Sequence, residues 1–111
     1  MRKFLILGAV GLSLTLSLAL SASASAGGCP LGIVCVYTET NFFGAEGRTP
    51  CSQTGIHPLA GNKRSAANGC TGRAVFLRNN GVYAGVCLPA TTSHPNILFN
   101  EIRIGAVGTH C

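Results

Sequence analysis

The chain opens on a short basic start, Met1-Arg2-Lys3, then an almost unbroken apolar run over residues 4–20, then a small and polar stretch over residues 21–26. That order is the pattern of a secretory signal, with Ala24-Ser25-Ala26 at the cleavage point. The apolar run is about 17 residues, short of the roughly 20 that span a bilayer, and the cleavage pattern follows it at once. The expectation is therefore a signal peptide over residues 1–26, a domain over 27–111, and no membrane attachment after cleavage. Beyond residue 27 the apolar positions come in short runs. Residues 33–37 and 74–77 are β-branched and aromatic, each followed by a Thr/Asn/Gly-rich turn; residues 81–86 alternate with glycines, and residues 102–104 form another short run. No stretch of this part holds a 3.6-residue period long enough for a sizeable helix, and Gly and Pro interrupt it often. An all-β domain is expected.

The pattern is written twice. Cys29, Cys70 and Cys111 are evenly spaced, and residues 29–44 (CPLGIVCVYTETNFFG) laid on residues 70–85 (CTGRAVFLRNNGVYAG) match at Cys29/Cys70, Val34/Val75, Phe42/Tyr83 and Gly44/Gly85. Further on, Cys51, His57-Pro58 and Asn62 parallel Cys87, His94-Pro95 and Asn100. Repeats of about 29–69 and 70–111, each with some four short strands, predict a small sandwich of two Greek-key halves. The two His-Pro pairs are expected in turns, because Pro restricts itself and the residue before it. Phe42, Phe43, Phe76, Tyr83 and Phe99 are expected in the core or capping hairpins.

Composition narrows the chemistry. The six cysteines all follow the signal, and an even number in a short exported chain reads as a disulfide framework with fifteen possible pairings. Equivalent cysteines in two halves favour Cys29–Cys51 and Cys70–Cys87, leaving Cys35–Cys111. No Cys-x2-Cys knuckle suggests zinc. The only acids are Glu39, Glu46 and Glu101, so triads centred on Asp and carboxylate-rich cation sites are excluded. Glu46 and Glu101 are read as surface residues in preference to a glycosidase pair. Loss of Arg2 and Lys3 lowers the net charge from +5 to +3, carried by six scattered Lys and Arg against three Glu, with no nucleic-acid stripe. No enzyme, cofactor or metal is expected.

Residues 29–37 (CPLGIVCVY) followed by Asn41-Phe42-Phe43-Gly44 resemble the opening of the Streptomyces metalloproteinase inhibitor family, secreted actinobacterial proteins of βγ-crystallin-like fold. The resemblance implies a folded hairpin in which Tyr37 and Phe42 cap the bend and Gly44 supplies a backbone conformation closed to other residues. It also implies that Ser65, in Asn62-Lys63-Arg64-Ser65, supports that hairpin. In the second copy Tyr83 and Gly85 remain, but Arg78 stands where the leading aromatic belongs and Ile104 falls near the place of the second Ser. Calcium sites of that fold use such a Ser with acidic or Asn groups, so no tight Ca2+ site is expected here. The resemblance further implies a local Cys29–Cys35 bridge, leaving Cys51–Cys111 and again Cys70–Cys87. The activity it implies is inhibition of an extracellular protease, a metalloprotease first, through a braced loop in the second half. The segment 87–94 could be displayed, yet nothing in it marks a reactive bond. The alternative is a cationic antimicrobial or cell-wall and chitin-binding protein, whose partner would be a wall polysaccharide; neither reading involves nucleic acid or a membrane.

Overall fold

The computed structural model describes residues 28–111; the expected signal segment, residues 1–26, lies outside the described residues. Eight strands follow one another: β1 Ile33–Tyr37, β2 Glu46–Pro50, β3 Gly55–Lys63, β4 Ser65–Asn68, β5 Val75–Asn79, β6 Val82–Leu88, β7 Ser93–His94 and β8 Phe99–Ile104. A single 3-10 turn, Thr40–Phe42, interrupts the loop between β1 and β2. Of the central strands, β1, β5 and β8 are read from the sequence, where β-branched residues suit a pleated surface packed on the core, whereas β4, Ser-Ala-Ala-Asn, carries no such signal. β2 and β3 are more polar because they lie at sheet edges, with alternate residues in water.

Two four-stranded antiparallel sheets result, β2-β1-β4-β7 and β3-β8-β5-β6. Read from its other edge, the second is β6-β5-β8-β3, the first order with each strand moved on by four around the set of eight. The third strand of either half thus completes the sheet of the other. The registers correspond as well. Tyr37 stands opposite Ser65 as Arg78 stands opposite Glu101, and His94 stands opposite Ala66 as His57 stands opposite Ile102.

The core lies between the sheets. Val34, Val36 and Ala66 from the first meet Val75, Leu77, Leu88, Phe99, Ile102 and Ile104 from the second. Each large apolar side chain buried this way contributes about 1.5–3 kcal/mol. A second, smaller cluster of Cys29, Cys35, Tyr37 and Ala67, with Ile33 and Phe42 against it, covers the outer face of the first sheet. This explains why all four residues of β4 are buried: both of its faces are roofed.

Three disulfides staple the domain: Cys29–Cys35, Cys51–Cys70 and Cys87–Cys111. The local Cys29–Cys35 bridge implied by the family resemblance is present. The favoured Cys70–Cys87 pair is not, and with it fall Cys29–Cys51, Cys35–Cys111 and Cys51–Cys111. Strand alternation is the reason. Cys70 packs in the inner core beside Cys51, just past the ends of β4 and β2. Cys87 lies on β6 between Val86 and Leu88, which pack inward, so its own side chain faces outward. The two sulfurs are on opposite sides of a sheet.

Of the two His-Pro pairs, the first differs from expectation and the second meets it in part, with Pro95 in a bend. His57-Pro58 lies within β3 and His94 ends β7 with Pro95 just beyond. Both are edge strands, where a residue without an N–H leaves no ladder bond unmade.

Candidate functional site

Residues 38–45 between β1 and β2 form the hairpin whose parts the sequence singles out. Tyr37 and Phe42 meet edge to face, their ring centroids 5.7 Å apart. Asn41 and Phe42 take left-handed backbone conformations, φ 57° and 65°, which for a Phe is strained. Ser65 holds that strained turn from below. Its buried hydroxyl accepts the Phe42 N–H at 3.0 Å and donates to the Glu39 carbonyl at 2.6 Å. Gly44 has φ +85°, and a Cβ there would meet Thr38 Oγ1 and lie 2.6 Å from Glu39 Cγ. Thr38 Oγ1 is not free to move aside, since it accepts the Ala45 N–H at 2.9 Å. Tyr37, Phe42, Gly44 and Ser65 therefore converge on one hairpin. Burial, with the Glu46 carboxylate nearby, raises the Tyr37 phenol above its ordinary pKa, against a lowering by Arg48.

The corresponding place in the second half is built otherwise. Asn80-Gly81 makes a two-residue turn with φ 52° and 81°, so β5 runs on to Asn79 and β6 returns at once. Asn100 locks it: its Oδ1 accepts the Asn80 N–H at 2.9 Å, and its Nδ2 donates to Asn80 Oδ1 at 2.9 Å. The register opposite Arg78, where the first half has Ser65, holds Glu101; Ile104, which gap counting puts near that place, lies three residues further on. Glu101 accepts from Arg78 Nε at 3.0 Å. Tyr83 caps no bend. It is half exposed and meets Phe76 edge to face at 6.2 Å, while Gly85 sits in an irregularity of β6 with open space where a Cβ would be. The Asn-Gly dipeptide is the signal for this turn.

A third feature has weak sequence signals. Residues 89–92, between β6 and β7, are displayed at the surface yet held from behind by Asn68, a fully buried residue at the end of β4. Its Nδ2 donates to the carbonyls of Arg73 at 3.0 Å, Leu88 at 3.0 Å and Pro89 at 3.2 Å, and its Oδ1 accepts the Cys70 N–H at 2.8 Å. The Asn68 N–H donates to the Thr92 carbonyl and the Thr91 N–H to the Cys70 carbonyl. Thr91 is fixed at φ 59°, a conformation that a loop does not keep without such restraint. The Cys51–Cys70 bridge backs the whole arrangement.

The remaining candidates are dispersed. Glu46 pairs with Arg48 on β2 and Glu101 with Arg78 on the other sheet, so the two carboxylates share no cleft. Among the described residues no three His, Cys, Asp or Glu side chains converge on a point. Phe99 is in the core as expected, whereas Phe43 is 70% exposed at the hairpin tip. No family model, curated protein or solved structure matches this chain.

Proposed function

We propose that this chain is a secreted proteinase inhibitor of the Streptomyces metalloproteinase inhibitor type, a βγ-crystallin-like pair of Greek-key halves that acts by surface recognition. The corresponding strand orders and registers support the duplicated architecture. The three disulfides suit an oxidising, extracellular destination.

One observation carries the inhibitory reading: the 89–92 loop lies at the surface with Pro89 and Thr91 exposed, is strained at Thr91, and is tied at one end by the buried Asn68 side-chain amide and at Thr92 by the Asn68 backbone N–H. Inserting a loop into a protease cleft costs ordering entropy in proportion to its freedom, and this loop has already lost most of it. Pro89 removes a further backbone torsion. The oxidised protein should inhibit at least one secreted peptidase stoichiometrically, a metalloprotease being the first to try. Replacing residues 89–92 by a Gly/Ser tetrapeptide should weaken the inhibition about tenfold or more, while circular dichroism reports an intact β domain. Absence of inhibition at micromolar concentration across metallo-, serine, cysteine and aspartic peptidases would reject the assignment. A second reading, binding to wall polysaccharide, draws on the exposed Phe43 and Tyr83 with the positive charge; retention on chitin or cell walls that survives high salt would favour it.

A further inference from the structure

The two sheets differ on their outer faces. On the first, the long 38–45 hairpin and the Cys29–Cys35 loop fold back and cover Cys35, Tyr37 and Ala67. On the second, the tight Asn80-Gly81 turn sends nothing back, and the register-equivalent positions lie open. Two cross-strand rows reach solvent there, with Tyr83 exposed and the other five residues half-buried. Arg103, Phe76 and Cys87 are lateral neighbours on β8, β5 and β6; Glu101, Arg78 and Tyr83 form the next row on the same strands. Together with Cys111, which the disulfide brings to Cys87, most of these residues line an open cleft of about 300 Å³.

Its chemistry is lopsided. The walls are the Phe76 and Tyr83 rings and the disulfide. The Arg103 guanidinium lies over the Phe76 ring, 4.3 Å from the centroid, and among the described residues it makes no hydrogen bond or ion pair. Arg78, in contrast, is already spent on Glu101 and on the Gly81 carbonyl at 2.8 Å. Beyond the Arg78–Glu101 pair, the lining presents the Arg103 guanidinium as a planar fork of N–H donors beside apolar walls. A guanidinium stacked on a ring keeps its in-plane donors free, and that edge matches a carboxylate two bonds at a time. Volume limits the ligand to one ring or a branched aliphatic group, at the lower end of small-molecule sites. A sugar ring fits poorly, because the Phe76 face on which it would stack is covered by Arg103.

We propose that this cleft binds a small monocarboxylic acid with an apolar body, the carboxylate on Arg103 and the body against Tyr83, Phe76 and the Cys87–Cys111 bridge. The site is separate from the 89–92 loop and stands or falls independently of inhibition. Phenylacetate serves as the probe, with phenylacetamide and glucuronate as controls, titrated into the oxidised, isotope-labelled protein and followed by amide and arginine side-chain NMR shifts. Saturable shifts centred on Arg103, Phe76 and Tyr83 are expected with phenylacetate, and about tenfold or more weaker binding for the neutral amide. Arg103→Gln should reduce phenylacetate to the level of phenylacetamide. Arg103→Lys keeps the charge and loses the fork, and should fall between. Tyr83→Ala should weaken acid and amide alike. Equal affinity for acid and amide, tighter binding of glucuronate than of phenylacetate, or shifts located elsewhere on the surface would overturn the proposal.

Discussion

Ser65→Ala removes one oxygen from the hairpin and leaves two backbone groups without their partner. The Phe42 N–H loses its acceptor and the Glu39 carbonyl loses its donor, both in partly buried surroundings. An orphaned buried polar group costs about 1–3 kcal/mol, so the pair should cost about 2–4 kcal/mol after some relief by water. The strained φ of Phe42 adds to this, because Ser65 is what holds it there. For a domain of this size that is a large fraction of the whole stability. The register-equivalent Glu101→Ala offers an internal contrast. It breaks an ion pair whose side chains are 22% and 23% exposed, and solvent screening keeps its cost at about 0.5–1 kcal/mol. Urea unfolding of the oxidised protein measures both, and amide hydrogen exchange at Phe42 localises the first. A Ser65→Ala cost below about 1 kcal/mol with unchanged exchange at Phe42 would refute the hairpin argument.

Gly44→Ala should destabilise by about 1–3 kcal/mol, since it combines a left-handed backbone with displacement of Thr38 Oγ1 from the Ala45 N–H; the same unfolding assay reads it, and Gly85→Ala, with open space around it, should cost less. Asn68→Ala should cost about 3 kcal/mol or more and should release residues 89–92, seen as faster exchange at Thr91 and Thr92 and, on the inhibitory reading, weaker inhibition. Tyr37 has its folded-state pKa raised above its ordinary value of 10.0, so the native state holds its proton more tightly than the unfolded chain. Its contribution is therefore fully present below about pH 10 and lost as pH rises from there through the folded pKa. Tyr37→Phe should show a shallower fall of stability in that window, and an unchanged fall would remove Tyr37 as its cause.

Much of the architecture was legible along the chain, because its causes are local. β-branched and aromatic runs between Gly, Asn and Thr turns announce strands such as Ile33–Tyr37, and the even count of cysteines announces bridges. Tyr37, Phe42 and Gly44 are singled out as one hairpin through the family resemblance alone, whose motif is compact because a folded hairpin depends on residues close in sequence. Which strand completes which sheet is a different kind of fact. β3 and β7 cross between the halves, and that choice depends on two inner faces closing over one core. The bridges follow from the same choice: strand alternation turns Cys70 inward and Cys87 outward, an orientation that spacing does not encode. The open cleft beside Arg103 is further still from the linear pattern. It exists because a two-residue turn in the second half leaves bare a face that the longer hairpin of the first half covers, and only the folded chain brings those two outcomes side by side.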